Sequence, residues 1–155
     1  MSVAFRRESD EDHKEPKFEL PLPVGPNMVT ARGLALIEAR EAELEAAIAA
    51  EQEEEPREAL KRELRYWQTR RTTAQIAPPP EEGVAGIGSR VTIKLAGKVR
   101  TIDIVGHDEA DPSADRVSFA APLAQVLIGG EQGERVDFNG RTEAIEIVAV
   151  ELIPR

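Results

Sequence analysis

Two regions of the chain differ in the spacing of their apolar residues. Between residues 31 and 77, apolar side chains recur at alternating intervals of three and four, which is typical of a helix packed against a second helix. Beyond residue 90, apolar and polar residues alternate one by one, which indicates strands with one buried face. The pattern therefore predicts an α+β protein, in which a helical part precedes a small sheet domain.

The helical part contains two stripes that fit an antiparallel coiled-coil hairpin over residues 30–77. The stripes are Leu34, Ile37, Glu41, Leu44 and Ile48, then Leu60, Leu64, Trp67, Arg71 and Ala74. Facing pairs, from Ile48 with Leu60 outwards, have residue numbers with a constant sum, which centres the fold-back on residue 54. Thr30 is expected to cap the first helix, and Pro56 to lie in the first turn of the second.

Charge supports the same pairing. Residues 31–55 hold eight acidic and two basic side chains, and residues 56–77 hold two acidic and six basic ones. This complementarity favours the intramolecular partner over a second copy, so we expect a monomer. Across the seam, we expect Trp67 and Leu64 to pack against Leu44 and Glu41, with Arg71 close enough to pair with Glu41.

The remaining segments are an arm, a linker and a domain. Residues 1–29 are charged and then proline-rich, which predicts an extended or disordered arm, and residues 78–83 form a proline-rich linker. Residues 84–155 contain strand patterns, a turn at Gly97-Lys98, a strand at 117–119 and a short helix over 121–130. Near the end, Ile145 and Ile147 face one way and Val148, Val150 and Leu152 the other, which predicts a bulge.

Composition excludes several kinds of site. The chain has no cysteine, two histidines and a formal charge of −9, which argues against disulfides, thiolate metal sites and a broadly basic nucleic-acid surface. No signal peptide or membrane span is apparent, so we expect a cytoplasmic protein. Residues 108–111 spell DEAD, but without a phosphate-binding GxxxxGK[ST] loop no helicase is indicated. The surrounding stretch HDEADPSAD is expected to be a solvated loop with capping Asp side chains.

The predicted hairpin tip is acidic. The carboxylates there are those of Glu51, Glu53, Glu54, Glu55 and Glu58. Negative charge near the end of the first helix is unfavourable by about 0.3–1 kcal/mol per group, so the crowding has a cost. Two interpretations remain open: a solvated tip that keeps the hairpin soluble, or carboxylates carried to a metal or a basic channel of another molecule.

The C-terminal half resembles a known family. The ordered series Ile104-Val105-Gly106, Glu109-Ala110-Asp111, Val117-Ser118, Pro122-Leu123, Leu127-Ile128-Gly129 and Gly133-Glu134-x-Val136 is similar to the C-terminal domain of bacterial GreA/GreB transcript cleavage factors. Thr30 and Gly33 also resemble the family's opening T-x-x-G pattern, and the RELRYW stretch its second helix. The resemblance covers residues 30–152.

The resemblance implies a fold and a mode of action. It implies a small FKBP-like α+β domain that binds RNA polymerase at the rim of the secondary channel, while the hairpin enters the channel. Two tip carboxylates would help hold a second Mg²⁺ of the polymerase, so the protein would be no enzyme itself and would have no cofactor or metal of its own. Contact with nucleic acid would occur only through the polymerase complex, and no binding to a membrane is expected. The implied polymerase-binding residues are Asp111, Ser118, Ala121, Pro122 and Leu123.

Departures from the family pattern leave three hypotheses. The family's Asp-x-x-Glu-Asn-Ala tip is absent, Ala121 stands where the family has Ser, and the hairpin is several turns shorter, as in non-cleaving Rnk-like relatives. Glu51/Glu54 and Glu55/Glu58 both have the family's i, i+3 spacing. The hypotheses are a factor that stimulates cleavage of backtracked RNA, a non-cleaving polymerase-binding regulator, and a coiled-coil adaptor unrelated to transcription. Prolyl isomerase activity is disfavoured, because aromatic residues are only 4% of the chain.

Overall fold

A computed structural model describes residues 19–154, so most of the predicted arm, residues 1–18, lies outside the described residues. The first described element is a short strand, β1 (Met28–Val29), which pairs in parallel with β2 (Gln75–Ile76). Asn27 and Val29 are only 5% and 2% exposed. The predicted arm boundary at residue 29 therefore falls within an ordered segment, because β1 joins the chain to the far end of the hairpin.

Two helices of equal length form the hairpin. They are α1 (Ala31–Ala50) and α2 (Glu54–Thr73), each of 20 residues and therefore about 30 Å long. Thr30 caps α1 as predicted, since its side chain accepts a hydrogen bond from Gly33 N–H at 2.9 Å. The predicted salt link is also confirmed, with Arg71 Nε donating to Glu41 Oε1 at 2.5 Å.

The fold-back lies two residues earlier than predicted. The turn consists of residues 51–53, whereas the stripe pattern centred it on residue 54. Glu51 stabilises the turn, because its carboxylate accepts a hydrogen bond from Glu53 N–H. The spacing of apolar residues along the helices cannot predict such a bond. Leu44 is buried at 1% exposure, as predicted for the seam, but Leu64 and Trp67 are only half-buried.

The C-terminal part is a five-stranded sheet covered by one short helix. Its strands are β3 (Ser89–Leu95), β4 (Lys98–Val105), β5 (Arg116–Ser118), β6 (Arg135–Phe138) and β7 (Arg141–Leu152), in the order β5-β4-β3-β7-β6. All neighbours are antiparallel except β4 and β5. The predicted α+β fold, a helical hairpin followed by a sheet domain, is thus confirmed.

Local geometry follows the sequence with small shifts. The β3–β4 turn is formed by Ala96 and Gly97, one residue before the predicted position, and both have positive φ (54° and 78°), as a two-residue hairpin turn requires. The predicted helix over 121–130 is shorter, α3 (Pro122–Leu127), and the predicted strand at 117–119 begins at Arg116 and ends at Ser118. The predicted bulge is confirmed at Val148, since Ile93 pairs with Ile147 and Thr92 with Ala149.

One face of the sheet and α3 enclose the core. The fully buried side chains are Val91, Ile93, Ile102, Ile104, Ala124, Leu127, Ile145 and Ile147, with Ala85 beside them. Each buried Val, Leu or Ile side chain in this cluster contributes about 1.5–3 kcal/mol of transfer free energy, so the cluster supplies the main stabilisation of the domain. The strand β4 runs from this core directly into a 3-10 turn, His107–Glu109, which contacts the base of the hairpin.

Candidate functional site

The first candidate site is the hairpin tip. Glu51 ends α1, and its backbone N–H donates to Ala47 O at 2.9 Å. Its carboxylate Oε2 accepts from Glu53 N–H at 3.0 Å, so this side chain has a local role in forming the turn. Because α2 begins only at Glu54, Glu51 and Glu54 do not share a helix face, despite their three-residue spacing.

Three further tip glutamates are exposed. Glu53, Glu54 and Glu55 are solvent-exposed, and Glu54 and Glu55 occupy the first turn of α2, where the helix dipole favours negative charge. Among residues 19–154, no hydrogen bond or ion pair engages these three carboxylates. Pro56 follows in the same first turn, and Arg57 N–H makes the first helical bond, to Glu53 O at 3.1 Å. The tip therefore presents negative charge that the described chain does not neutralise.

Glu58 lies one turn further along α2 and is partly engaged. Its carboxylate is 3.5 Å from Lys61 Nζ, in an ion pair whose side chains are 47% and 41% exposed. Of the two pairs with i, i+3 spacing, only Glu55 and Glu58 lie on the same helix and on neighbouring positions of its surface. A pair of carboxylates for a shared metal would therefore have to use Glu55 and Glu58, with release of Lys61.

The second candidate site is the edge of the sheet domain around β5. This strand is the outermost one beside β4, and α3 follows it after a short loop. Pro122 is exposed at the first position of α3, whereas Ala121 and Leu123 are half-buried on either side of it. Leu123 packs against the core cluster, so only part of its side chain is available to a partner.

Polar residues at this edge stabilise its backbone. The Ser118 hydroxyl accepts from Ala120 N–H at 3.2 Å, and the Ser118 carbonyl accepts from Ala121 N–H at 2.9 Å. Asp111 accepts from the backbone N–H and the hydroxyl of Ser113, and these bonds hold the pKa of the Asp111 carboxyl below its ordinary value. The structure thus brings Asp111, Ser118, Ala121, Pro122 and Leu123 into one stretch of the domain edge. We name this stretch, residues 111–123, the docking edge, after the polymerase-binding role that the resemblance predicts for it.

The third candidate site is a cluster of buried polar side chains that the sequence did not predict. It corrects the expectation that HDEADPSAD is a solvated loop. Asp108 accepts from Arg70 Nε on Oδ2 and from the Tyr66 hydroxyl on Oδ1, both at 2.6 Å. Glu109 accepts from the Thr30 hydroxyl at 2.6 Å and from Arg32 at 2.7 Å. The Asp108 and Glu109 side chains are only 6% and 3% exposed, because the hairpin base covers them.

Burial at this cluster changes the chemistry of its tyrosine. Desolvation and the hydrogen bond to Asp108 raise the pKa of the Tyr66 hydroxyl above its ordinary value. The sequence signals for the cluster were Thr30, predicted as a helix cap, and Gly33, Glu109 and the RELRYW stretch that contains Tyr66, which the family resemblance singled out without indicating that they meet. Asp111, in contrast, does cap a 3-10 turn, Pro112–Ala114, as the loop interpretation expected.

The described part of the chain contains neither a metal-binding cluster nor a membrane-spanning helix. Within residues 19–154, no three His, Asp or Glu side chains are placed to hold a metal ion together. Over the same residues, no helix is both long and apolar enough to cross a membrane.

Comparison with known proteins identifies the sheet domain. Residues 79–152 match the family "Transcription elongation factor, GreA/GreB, C-term", a range that begins within the predicted linker. Transcription elongation factor GreA of Thermomicrobium roseum is 40% identical over 65 residues, which are 40% of this chain and 42% of that protein. Transcription elongation factor GreB of Neisseria meningitidis is 35% identical over 102 residues, 61% of either chain. The chain thus matches between 42% and 61% of the length of these relatives.

Solved structures show the same kind of relative. GreA factor homolog 1 of Thermus thermophilus has a TM-score of 0.38 at 17% identity, covering 82% of this chain and 99% of that one. A GreA/GreB factor from Nitrosomonas europaea has a TM-score of 0.39 at 20% identity, covering 82% of this chain and 98% of that one. Both TM-scores are low, so the assignment of the sheet domain to the GreA/GreB family rests on the sequence matches and on the ordered motifs of that domain.

Proposed function

Since residues 79–152 belong to the GreA/GreB family of transcription elongation factors, we propose that the whole chain is a factor of this family, which binds bacterial RNA polymerase at the secondary channel and regulates elongation without cutting RNA. In this proposal the docking edge contacts the polymerase, and the hairpin places its acidic tip in the channel.

The non-cleaving proposal rests on one observation: two of the tip carboxylates are already bonded to groups within the hairpin. Glu51 bonds to the turn backbone and Glu58 to Lys61, so each of the two i, i+3 pairs has one member already engaged. A carboxylate ligates Mg²⁺ at about 2.1 Å, which leaves little tolerance for a displaced or occupied group. The hairpin is also only about 30 Å long, and each turn lost relative to a longer relative withdraws the tip by about 5.4 Å.

The docking edge supports the polymerase-binding part of the proposal. It combines an exposed proline at a helix start with a sheet edge whose loop is stabilised by internal hydrogen bonds. A surface fixed in this way loses little conformational entropy on binding, which favours affinity. The net charge of −9 argues against direct binding to nucleic acid, so a protein partner fits the composition better.

A second candidate function retains cleavage. Glu55 and Glu58 share one helix, and a basic polymerase channel would compete with Lys61 for Glu58 in a pair that is already half-exposed. Exposed ion pairs contribute only about 0–1 kcal/mol, so release of Lys61 is energetically easy. This candidate requires the tip to reach the polymerase's own Mg²⁺.

Binding is tested first. The chain has no cysteine, so Gln52→Cys at the exposed turn accepts a single fluorophore whose anisotropy reports complex formation. Titration with purified bacterial RNA polymerase should give saturable binding with a Kd of about 1 μM or tighter. Unlabelled wild type should compete with the labelled protein. Absence of saturable binding at polymerase concentrations well above this value would contradict the proposal and favour an adaptor outside transcription.

A further inference from the structure

We propose that Asp108 and Glu109 are positioning residues that fix the angle between the hairpin and the sheet domain. Both project from the 3-10 turn that directly follows β4, and each binds a different helix of the hairpin. A fixed angle would place the tip correctly when the docking edge is bound, and this part of the inference rests on the proposed function. The structural part of the inference stands independently of the polymerase.

Asp108 attaches the turn to α2. The Arg70 and Asp108 side chains are 5% and 6% exposed, and their contact is a charge-assisted hydrogen bond of 2.6 Å. The Tyr66 hydroxyl donates to the second carboxylate oxygen, so both oxygens of Asp108 are bonded to residues of α2. The Arg70 carbonyl in turn accepts from the side chain of Asn27, the residue before β1, at 2.7 Å.

Glu109 attaches the turn to the start of α1. One carboxylate oxygen accepts from the Thr30 hydroxyl and the other from Arg32, so this carboxylate is also bonded through both oxygens. Gly33 permits the approach, because a Cβ atom there would lie 2.8 Å from Glu109 Oε1. A Cβ atom on Gly106 would similarly lie 2.6 Å from the Met28 carbonyl oxygen. Gly33 therefore lies against the Glu109 side chain, and Gly106 against the backbone of β1, with no room for a side chain at either glycine.

Attachment at two helices restricts rotation in a way that one contact would not. A single ion pair leaves the hairpin free to pivot about it, whereas separate bonds to α1 and α2 define an orientation. The tip lies about 30 Å from this base, so a tilt of roughly 10° would move it by about 5 Å. A displacement of about 5 Å exceeds the length of any hydrogen bond that a tip carboxylate could make. Small angular errors at the base thus have large effects at the tip.

The angle is measured directly with two spin labels. Gln52→Cys at the tip and Lys98→Cys in the sheet domain are both at exposed positions of a chain that lacks cysteine. Pulsed electron paramagnetic resonance on this pair should give one narrow distance distribution for the parent protein. The Asp108→Ala/Glu109→Ala variant should shift or broaden the distribution by about 5 Å or more. An unchanged distribution in this variant would overturn the inference.

Two further variants separate orientation from folding. Gly33→Ala improves the helix propensity of α1 but places a methyl group against Glu109, so it should broaden the distribution while the protein stays folded. Asp103→Ala is the matched control, because Asp103 is a carboxylate 11% exposed in an ion pair with Arg90 inside the sheet, away from the hairpin. It should leave the distance distribution unchanged, and broadening equal to that of Asp108→Ala/Glu109→Ala would show general loosening and contradict the inference.

The polymerase readout separates this inference from the proposed function. A benzophenone attached to the thiol of the Gln52→Cys variant should crosslink to bound polymerase. Adding Asp108→Ala/Glu109→Ala should lower the crosslinking yield about tenfold or more while anisotropy still shows binding. Equal crosslinking in the two proteins would contradict the positioning role. Failure of the parent protein to bind polymerase at all would contradict the proposed function, whereas the spin-label distances would still decide the orientation.

Discussion

Arg70 in α2 and Asp108 in the turn after β4 form an ion pair of 2.6 Å whose side chains are 5% and 6% exposed. Removing one partner of a buried pair leaves the other charge without compensation, which costs about 3–5 kcal/mol. We therefore expect Asp108→Ala to lower the free energy of unfolding by that amount. Denaturant unfolding followed by Trp67 fluorescence measures it, since Trp67 is the only tryptophan and lies next to Tyr66.

The control for this prediction is an ion pair within the hairpin that remains exposed. Arg40 and Glu63 connect α1 and α2 at 2.8 Å, with both side chains 41% exposed. Exposed pairs contribute about 0–1 kcal/mol, so Glu63→Ala should have only a small effect. Equal losses in Glu63→Ala and Asp108→Ala would show that burial does not set the value of the Arg70–Asp108 pair.

The seam of the hairpin gives a graded prediction for leucine. Leu44 is 1% exposed, Leu64 is half-buried and Leu36 is 42% exposed. Leu44→Ala should cost about 2–5 kcal/mol and Leu64→Ala roughly half of that. Leu36→Ala, the same change in the same helix as Leu44, should cost below about 1 kcal/mol. If urea unfolding gave Leu64→Ala the larger loss, the seam would have to lie on the other side of α2.

The hairpin and the sheet domain were largely predictable from local pattern. Helical spacing predicted α1 and α2, and the Glu41–Arg71 link followed from which residues share the seam. Alternation predicted the strands, and the change of face at Val148 predicted the bulge. These features depend on residues close in sequence or on one repeated interval, which the sequence displays directly.

The contacts between hairpin and domain were not predictable in the same way. The Arg70–Asp108 pair joins residues 38 positions apart, and Thr30–Glu109 joins residues 79 positions apart, with no periodicity to indicate either pairing. Charged residues in a polar stretch such as HDEADPSAD are usually exposed, so burial of Asp108 and Glu109 depends on a partner that only the fold provides. The tip turn was misplaced for a related reason, since Glu51 bonds to Glu53 N–H outside the seam.

Tyr66 predicts a dependence of stability on alkaline pH. Its pKa is raised in the folded protein, first by burial and then by the bond to Asp108, from an ordinary value of 10.0. The unfolded chain therefore loses this proton first, and the stabilisation is complete below pH 10.0 and declines as pH rises above it. Because Tyr66 is the only tyrosine, near-ultraviolet absorbance reports its ionisation alone.

The control for the alkaline effect is Tyr66→Phe. This variant removes the hydroxyl but keeps the ring, so it should unfold with a flatter dependence on pH above the ordinary tyrosine pKa. A tyrosine titration in the folded protein that matches a model peptide, or an identical pH profile in Tyr66→Phe, would contradict the buried hydrogen bond to Asp108.

The docking edge predicts a loss of binding without a loss of folding. Pro122 is exposed at the start of α3, so Pro122→Arg should weaken polymerase binding by about tenfold or more, as expected for a central interface residue. Circular dichroism and thermal unfolding should remain close to wild type. Val99→Arg provides the same change in size and charge at a 67% exposed site at the other end of β4. Equal binding of both variants would remove the docking edge from the interface.

The most direct test uses a backtracked RNA polymerase elongation complex, with transcript length and complex formation measured in the same reaction. Wild type is compared with a variant in which Glu51, Glu53, Glu54, Glu55 and Glu58 are all changed to Gln. We expect both proteins to bind the complex and neither to shorten the RNA, because Glu51 and Glu58 are engaged within the hairpin. Robust shortening by wild type that is lost in the quintuple variant would contradict this result and establish cleavage through the tip carboxylates.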